Sequence, residues 1–130
     1  MVSGDGPVIA PRLYAVDVYT PTAYHCAVIF METPIFTRDV TELLGDAEYA
    51  AFQAFLADNP DAGDIIQATG GLRKVRWAAK GRGKSGGVRI IYFHRSSAQQ
   101  IRLLMIYQKG IKDGLSPREK AILRKVNEAW

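Results

Sequence analysis

Four residues on three extended segments have side chains suited to chemistry on a phosphodiester. Lys74 and Arg76 are two residues apart in a strand-like run, so their side chains point to one side, about 7 Å apart. Arg89 lies at the start of the next strand-like run, and Tyr107 lies near the end of a third, where it alternates with Lys109. We therefore take Lys74, Arg76, Arg89 and Tyr107 as candidate catalytic residues.

RNA is a substrate that these side-chain types could cleave, because it carries its own nucleophile, the 2′-hydroxyl. That hydroxyl must lose a proton, the charge on the phosphorane must be stabilised, and the leaving 5′-oxygen must gain a proton. Arginines stabilise phosphate charge through paired N–H bonds. A lysine among other cations gives up its proton more readily and can act as a base. A tyrosine can donate a proton or stack on a base. The residue types alone leave simple phosphate binding open as an alternative.

The charge distribution points to a polyanionic partner. Residues 1–64 carry ten acids and two bases, whereas residues 65–112 carry no acid and eleven bases. A long block of one sign repels itself unless a polyanion such as nucleic acid relieves the repulsion. Within this block, five further basic residues are candidate RNA-binding residues: Arg73, Lys80, Arg82, Lys84 and Lys109.

Residues 78–85 nearly match the phosphate-binding loop of nucleotide hydrolases, with Ala78 in place of the first glycine. Such a loop must lie between a strand and a helix, so that the helix N-terminus meets the phosphates. Here a strand-like run at 88–93 follows instead. We therefore expect a basic hairpin loop and no nucleotide hydrolysis.

Composition predicts a single cytoplasmic domain without a cofactor. The 130 residues are 48% hydrophobic, which is enough for one core, and the single cysteine, Cys26, excludes an internal disulfide. The two histidines, His25 and His94, are far apart in the sequence, so we expect no metal site. We find no secretory signal and no apolar run near the ~20 residues that a membrane span requires.

Prolines and glycines in residues 1–24 predict no regular element, and we expect residues 1–25 to be a loose extension of a domain spanning 26–130. Helical spacing predicts two helices, the second capped by Asp46, and a Ser116–Glu119 capping box predicts a third. Strands are expected at 26–32, 72–79, 88–93 and 101–107, the last three as an antiparallel meander. The expected helical core residues are Phe36, Val40, Leu43, Leu44, Tyr49, Phe52, Phe55 and Leu56, with Ile122, Val126 and Trp130 sharing one side of the third helix.

Several segments resemble the HigB branch of the RelE/ParE toxin superfamily, over roughly residues 27–130. They are Asp58-Asn59-Pro60, Gly63-Asp64, residues 66–76, residues 80–92 and residues 103–109. The resemblance implies a small α+β domain, in which two N-terminal helices pack on a twisted, mainly antiparallel sheet and a C-terminal helix closes the chain.

The resemblance also implies an activity and partners. Members of this family cleave mRNA in the ribosomal A site and are controlled by an antitoxin encoded nearby, here expected to be HigA-like. Lys74 and Arg76 match the family's paired basic strand positions, and Arg89 matches the arginine that opens the next strand. Tyr107 and Lys109 match the late-strand cluster. Some HigB relatives have a histidine where Gln108 stands, and glutamine cannot transfer protons.

Two other functions fit the same predicted fold. A ParE-like toxin would inhibit DNA gyrase without cutting RNA, and a degenerate relative would bind without catalysis. The basic pair on one strand, with Arg89 and Tyr107 available, favours the ribonuclease.

Overall fold

The computed structural model describes residues 12–19, 25–78, 87–112 and 114–130. These residues form an α+β fold in which three α-helices pack on one six-stranded mixed sheet. None of these helices is long and apolar enough to cross a bilayer. The elements are β1 (Arg12–Tyr19), β2 (His25–Glu32), α1 (Pro34–Leu43), α2 (Asp46–Asp58), β3 (Asp64–Ile65), β4 (Arg73–Trp77), β5 (Val88–Arg95), a short 3-10 helix (Ser96–Ala98), β6 (Gln100–Gln108) and α3 (Pro117–Glu128).

The strands are ordered β1-β2-β6-β5-β4-β3 across the sheet. The expected antiparallel meander is confirmed, since β4 pairs with β5 and β5 with β6, both antiparallel. β2 and β6 run parallel, which the long intervening chain permits. The two-residue strand β3, which pairs with β4, was not predicted.

The expectation that residues 1–24 form no regular element is wrong for β1. This strand pairs antiparallel with β2 over all eight residues, from Arg12 opposite Glu32 to Tyr19 opposite His25. The flanking Pro11 and Pro21 lie outside it, so they bound the strand and do not interrupt its hydrogen bonds. The segment between them is rich in β-branched and aromatic residues, which favour extended backbone.

The sequence predicted the N-terminal cap of α3 correctly and that of α2 one residue too late. The predicted capping box of α3 is confirmed: the Glu119 N–H donates to Ser116 Oγ at 3.1 Å, and the Ser116 N–H donates to Glu119 Oε1 at 2.9 Å. Asp46 was expected to cap α2, but Gly45 is the N-cap and Asp46 is the first helical residue. The Gly45 N–H donates to the Glu48 carboxylate at 2.9 Å, because that side chain lies one turn along the helix.

The first face of the sheet is covered by α1 and α2. Phe36, Val40 and Leu44 from the first helix region and Phe52 and Leu56 from the second join the strands in one buried cluster, as expected. Phe55 is 38% exposed, so its assignment to the core is wrong. Its ring instead lies against Trp77 at the margin, with ring centroids 5.5 Å apart.

The second face is covered by α3 over a smaller cluster of Leu72, Ile91, Leu104 and Tyr107. A bulge opposite the Ile91–Tyr92 step adds one residue to β6, which lets Leu104 and its neighbour Met105 both pack on this cluster. From α3 and the segments flanking it, the packing residues are Leu115, Leu123 and Trp130. Ile122 and Val126 are 50% and 40% exposed, so the predicted apolar side of α3 is only partly correct.

Candidate functional site

Three of the four predicted catalytic residues form one row across neighbouring strands. Arg76 on β4 lies directly opposite Arg89 on β5, and Arg89 lies directly opposite Tyr107 on β6. Residues directly opposite in a sheet project from the same face, with Cβ atoms about 4.5–5.5 Å apart. We call Arg76, Arg89 and Tyr107 the Arg–Arg–Tyr row. It lies on the second face, beside the N-terminal half of α3.

Lys74 lies in the next row of the same face. It is two residues from Arg76 on β4 and pairs with Ile91 on one side and Asp64 on the other. Asp64 was not among the candidates, because β3 is too short to be recognised from residue spacing. Its carboxylate brings an acid to the edge of a face that sequence analysis treated as purely basic.

The two arginines of the row have no ion-pair partner among the residues that the structure describes. Arg89 donates only a long hydrogen bond, 3.5 Å, to the carbonyl of Val88, and Arg76 is exposed. Like charges directly opposite each other destabilise a sheet. The row is therefore an electrostatic cost to the free protein that an anion bound between the arginines would remove.

Tyr107 is more buried than a base-stacking residue should be. It is only 7% exposed, and its hydroxyl is buried with no hydrogen-bond partner among the described residues. Burial raises the pKa of this hydroxyl above its ordinary value, while the nearby Arg89 and Lys112 act in the opposite direction. The hydroxyl therefore keeps its proton at neutral pH and has a free acceptor position and a free donor hydrogen.

Lys112 and Glu119 form an ion pair close to Tyr107, and neither was a candidate site residue. The Lys112 Nζ lies 2.5 Å from Glu119 Oε2. The hydrogen bond from Lys112 and the backbone N–H of Ser116 lower the pKa of Glu119, so the carboxylate is charged at neutral pH. The capping box identified Glu119 as a helix residue, but no spacing rule links it to a lysine in the preceding loop.

Other predicted residues lie elsewhere. Arg73 pairs with Tyr92 and projects from the first face, where it donates to the Gly63 carbonyl at 2.7 Å and lies 3.6 Å from Asp61. It is not brought together with Lys74 and Arg76. Lys109 is exposed just beyond β6. Lys80, Arg82 and Lys84 lie outside the described residues.

The strand β5 follows the segment 79–86, as the sequence predicted. Arg76 and Arg89 are near the ends of the two strands that this segment joins. Gly87 has φ +79°, and a Cβ there would lie 2.8 Å from the Trp77 carbonyl oxygen, so glycine is required at the close of the hairpin.

Gln108 is not part of the row. It pairs with Val88, which is buried in the cluster of the first face, so strand alternation directs it away from Arg89. Its inability to transfer protons therefore does not weaken the chemistry available on the second face.

No protein-family model matches the chain. Within the described ranges, no three His, Cys, Asp or Glu side chains lie close enough to hold a metal ion. What this face offers chemically is two adjacent guanidinium groups, a protonated tyrosine hydroxyl between the sheet and α3, and two lysines within the same neighbourhood.

Proposed function

We propose that this chain is an endoribonuclease that cleaves mRNA through attack of the RNA's own 2′-hydroxyl, as the toxin of a bacterial toxin–antitoxin pair. The observation that carries the proposal is the Arg–Arg–Tyr row, in which two unpaired arginines adjoin a buried, protonated tyrosine hydroxyl. The resemblance of residues 63–92 to HigB toxins supports the same activity, and we propose that the α+β domain is RelE-like in arrangement.

Each side chain has a role that its position supports. Arg76 and Arg89 hold the scissile phosphate and stabilise the added negative charge of the phosphorane. Lys74, on the same face, takes the proton of the 2′-hydroxyl with its side chain in the uncharged amine form, as the hydroxyl oxygen bonds to phosphorus. The bond from phosphorus to the 5′-oxygen then breaks, leaving a 2′,3′-cyclic phosphate, and Tyr107, whose buried hydroxyl must become accessible when RNA binds, supplies the proton that the leaving oxygen takes up. No metal is required for these steps.

We propose that the substrate is mRNA in the ribosomal A site. The row offers an exposed Arg76 and a half-buried Arg89, with Lys74 in the next row, so it can neutralise a backbone but cannot by itself orient one nucleotide in line for attack. The ribosome would supply that orientation. A HigA-like antitoxin, encoded nearby, would control the cytoplasmic toxin.

The test compares the wild-type chain with Arg76→Gln and with Arg38→Gln. Arg38 is an exposed arginine on α1, paired with Asp39 at 2.8 Å. Its substitution therefore removes one positive charge at a position away from the row. Cleavage is measured by primer extension on mRNA bound to purified ribosomes, and again on free mRNA. We expect Arg76→Gln to lower the cleavage rate by about 100-fold or more, as when one transition-state donor is lost.

Arg38→Gln should cleave at the wild-type rate, and free mRNA should be cut poorly by every variant. Retained cleavage in a folded Arg76→Gln protein would remove the row from the mechanism. A wild-type chain that cuts no mRNA but inhibits DNA supercoiling by gyrase would replace the proposal with the ParE-like alternative.

A further inference from the structure

A second polar cluster lies on the same face of the sheet, at the opposite end of α3 from the Arg–Arg–Tyr row. Phe93 and Arg95 on β5 pair with Arg102 and Gln100 on β6, so all four project from the second face. The C-terminal end of α3 covers them with Trp130 and with Asn127, whose backbone and side-chain oxygens each accept from Arg102 Nη1 at 3.0 Å.

This cluster contains most of the buried side-chain atoms that have no hydrogen-bond partner in the described part of the chain. Four buried side-chain atoms have no hydrogen-bond partner among the described residues, and three of them are here: Gln100 Oε1, Arg102 Nε and Trp130 Nε1. Buried polar groups in folded proteins nearly always have partners, because an unpaired group keeps its full desolvation cost. Two of these residues, Arg102 and Trp130, carry the unpaired donors and line one cavity, which indicates a ligand that accepts hydrogen bonds.

The surroundings are cationic and aromatic. Arg102 is only 6% exposed, and its guanidinium carbon lies 5.6 Å from the ring centroids of both Phe93 and Trp130. Burial lowers the pKa of Arg102, and the like charge of the exposed Arg95 beside it lowers this pKa further. A cavity of about 320 Å³ opens between these residues and α3. The carboxylate at its edge, Glu128, is already paired with Arg124 at 3.0 Å.

We infer that this cavity binds one nucleotide of an RNA strand, with the base against Trp130 and the phosphate on Arg95 and Arg102. A simple anion such as phosphate or carboxylate could satisfy the two donors but would leave the aromatic rings of Phe93 and Trp130, which line the cavity, without a stacking partner. A nucleobase edge carries both donors and acceptors, and its ring stacks on aromatic side chains and guanidinium planes.

The site is separate from the row. Arg102 and Tyr107 are both on β6, and their Cα atoms are at most about 17 Å apart at 3.3 Å per residue. A strand whose scissile phosphate lies on the row could therefore continue along the second face, past α3, to this cavity. The inference goes beyond the proposed cleavage, since binding here requires no reaction.

The experiment follows the two indole N–H resonances of the full-length chain by NMR during titration with adenosine 5′-monophosphate. Trp77 packs against Phe52 and Phe55 on the first face and serves as the internal reference. We expect the Trp130 indole resonance to shift with saturation while the Trp77 resonance does not move. Arg95→Gln should weaken binding by about tenfold or more, the loss of one charge-assisted hydrogen bond. Arg38→Gln should bind as the wild type does.

Two controls make the outcome decisive. Inorganic phosphate and acetate are titrated separately, and an equal affinity for either would reduce the cavity to an anion site and overturn the inference. No shift of Trp130 with the nucleotide, in a chain whose amide spectrum is that of the folded protein, would also overturn it. This experiment does not measure cleavage. If the chain binds the nucleotide but does not cut mRNA, the proposed function is wrong and the inference about the cavity stands.

Discussion

The two faces of the sheet come from the same strands, yet they treat buried polar groups differently. On the first face the buried Glu32 accepts hydrogen bonds from Thr37 and Tyr49, and the Tyr92 hydroxyl accepts from the Gly63 N–H and donates to the Pro60 carbonyl. On the second face Tyr107 and the Gln100–Arg102–Trp130 cluster hold every buried unpartnered side-chain atom found in the described residues.

This contrast separates stability from function. The first face is a satisfied interior, packed by α1 and α2, with aromatic and aliphatic side chains filling it. The second face holds unpaired arginines and unpartnered donors, which lower stability in the free protein and suit an anionic partner. Variants on the first face should therefore change stability, and variants on the second face should change binding or cleavage.

The largest effect should come from truncating the first core. Phe52→Ala removes a fully buried ring that lies edge-on to Trp77, with centroids 5.3 Å apart, and should lower the free energy of unfolding by about 3–5 kcal/mol. Leu123→Ala, which trims the partly buried contact of α3 with the second cluster, should lower it less. Urea denaturation of both variants measures the difference. Equal decreases in the free energy of unfolding would contradict the view that the cluster on the first face contributes more stability than the cluster on the second.

Two tyrosines on opposite faces offer a matched test. Tyr92→Phe strands the Gly63 N–H and should destabilise the fold by about 1–3 kcal/mol, with cleavage per folded molecule unchanged. Tyr107→Phe removes a hydroxyl with no partner, so stability should hold or rise, while cleavage should fall by about 100-fold or more through loss of a proton donor. The comparison needs urea denaturation and primer extension on both proteins. A destabilised Tyr107→Phe that still cleaves would reverse the assignment.

The Arg–Arg–Tyr row should lower the stability of the free protein, and stability measurements alone can test this. Arg76→Gln removes one of two like charges directly opposite each other and should raise the free energy of unfolding by about 0.2–1 kcal/mol at low salt. Added salt should shrink this gain, because it screens the repulsion in the wild type. Denaturation curves at low and high salt measure both effects, and a loss of stability at low salt would contradict the electrostatic account.

An effect of similar size is expected from the Lys112–Glu119 pair. The pKa of Glu119 is lowered from 4.5 in the folded protein, so the pair stabilises the fold above that value and the contribution is lost as pH falls through the lowered pKa. Glu119→Gln should therefore cost about 0.2–1 kcal/mol at pH 7 and nothing at strongly acidic pH. Denaturation at several pH values measures the free energy of unfolding of wild type and variant. The difference between the two should fall to zero as the solution becomes acidic. A constant difference would show that the charge is not its source.

Much of the fold was predictable from local patterns. The α3 capping box, the helical spacing of Phe36 and Val40, and the alternation around Lys74 and Arg76 each depend on neighbours within a few residues. The missed elements had too short a signal or a conflicting one. β3 has only two residues, which is too few for a spacing pattern. β1 lies between prolines, which predict a break in regular structure. As an edge strand, however, β1 needs hydrogen bonds on one side only.

The sequence by itself determined which residues carry charge and which face of each strand they share, because strand alternation is a property of the backbone. Only the tertiary structure decided how the strands align, and a shift of one residue would have turned Arg89 away from Arg76. Alignment also set Arg73 on the opposite face, buried the Tyr107 hydroxyl beneath α3, and joined Lys112 to Glu119. It likewise gathered Gln100, Arg102 and Trp130 into one cluster. Each of these depends on contacts between segments distant in the chain, and residue spacing carries no information about them.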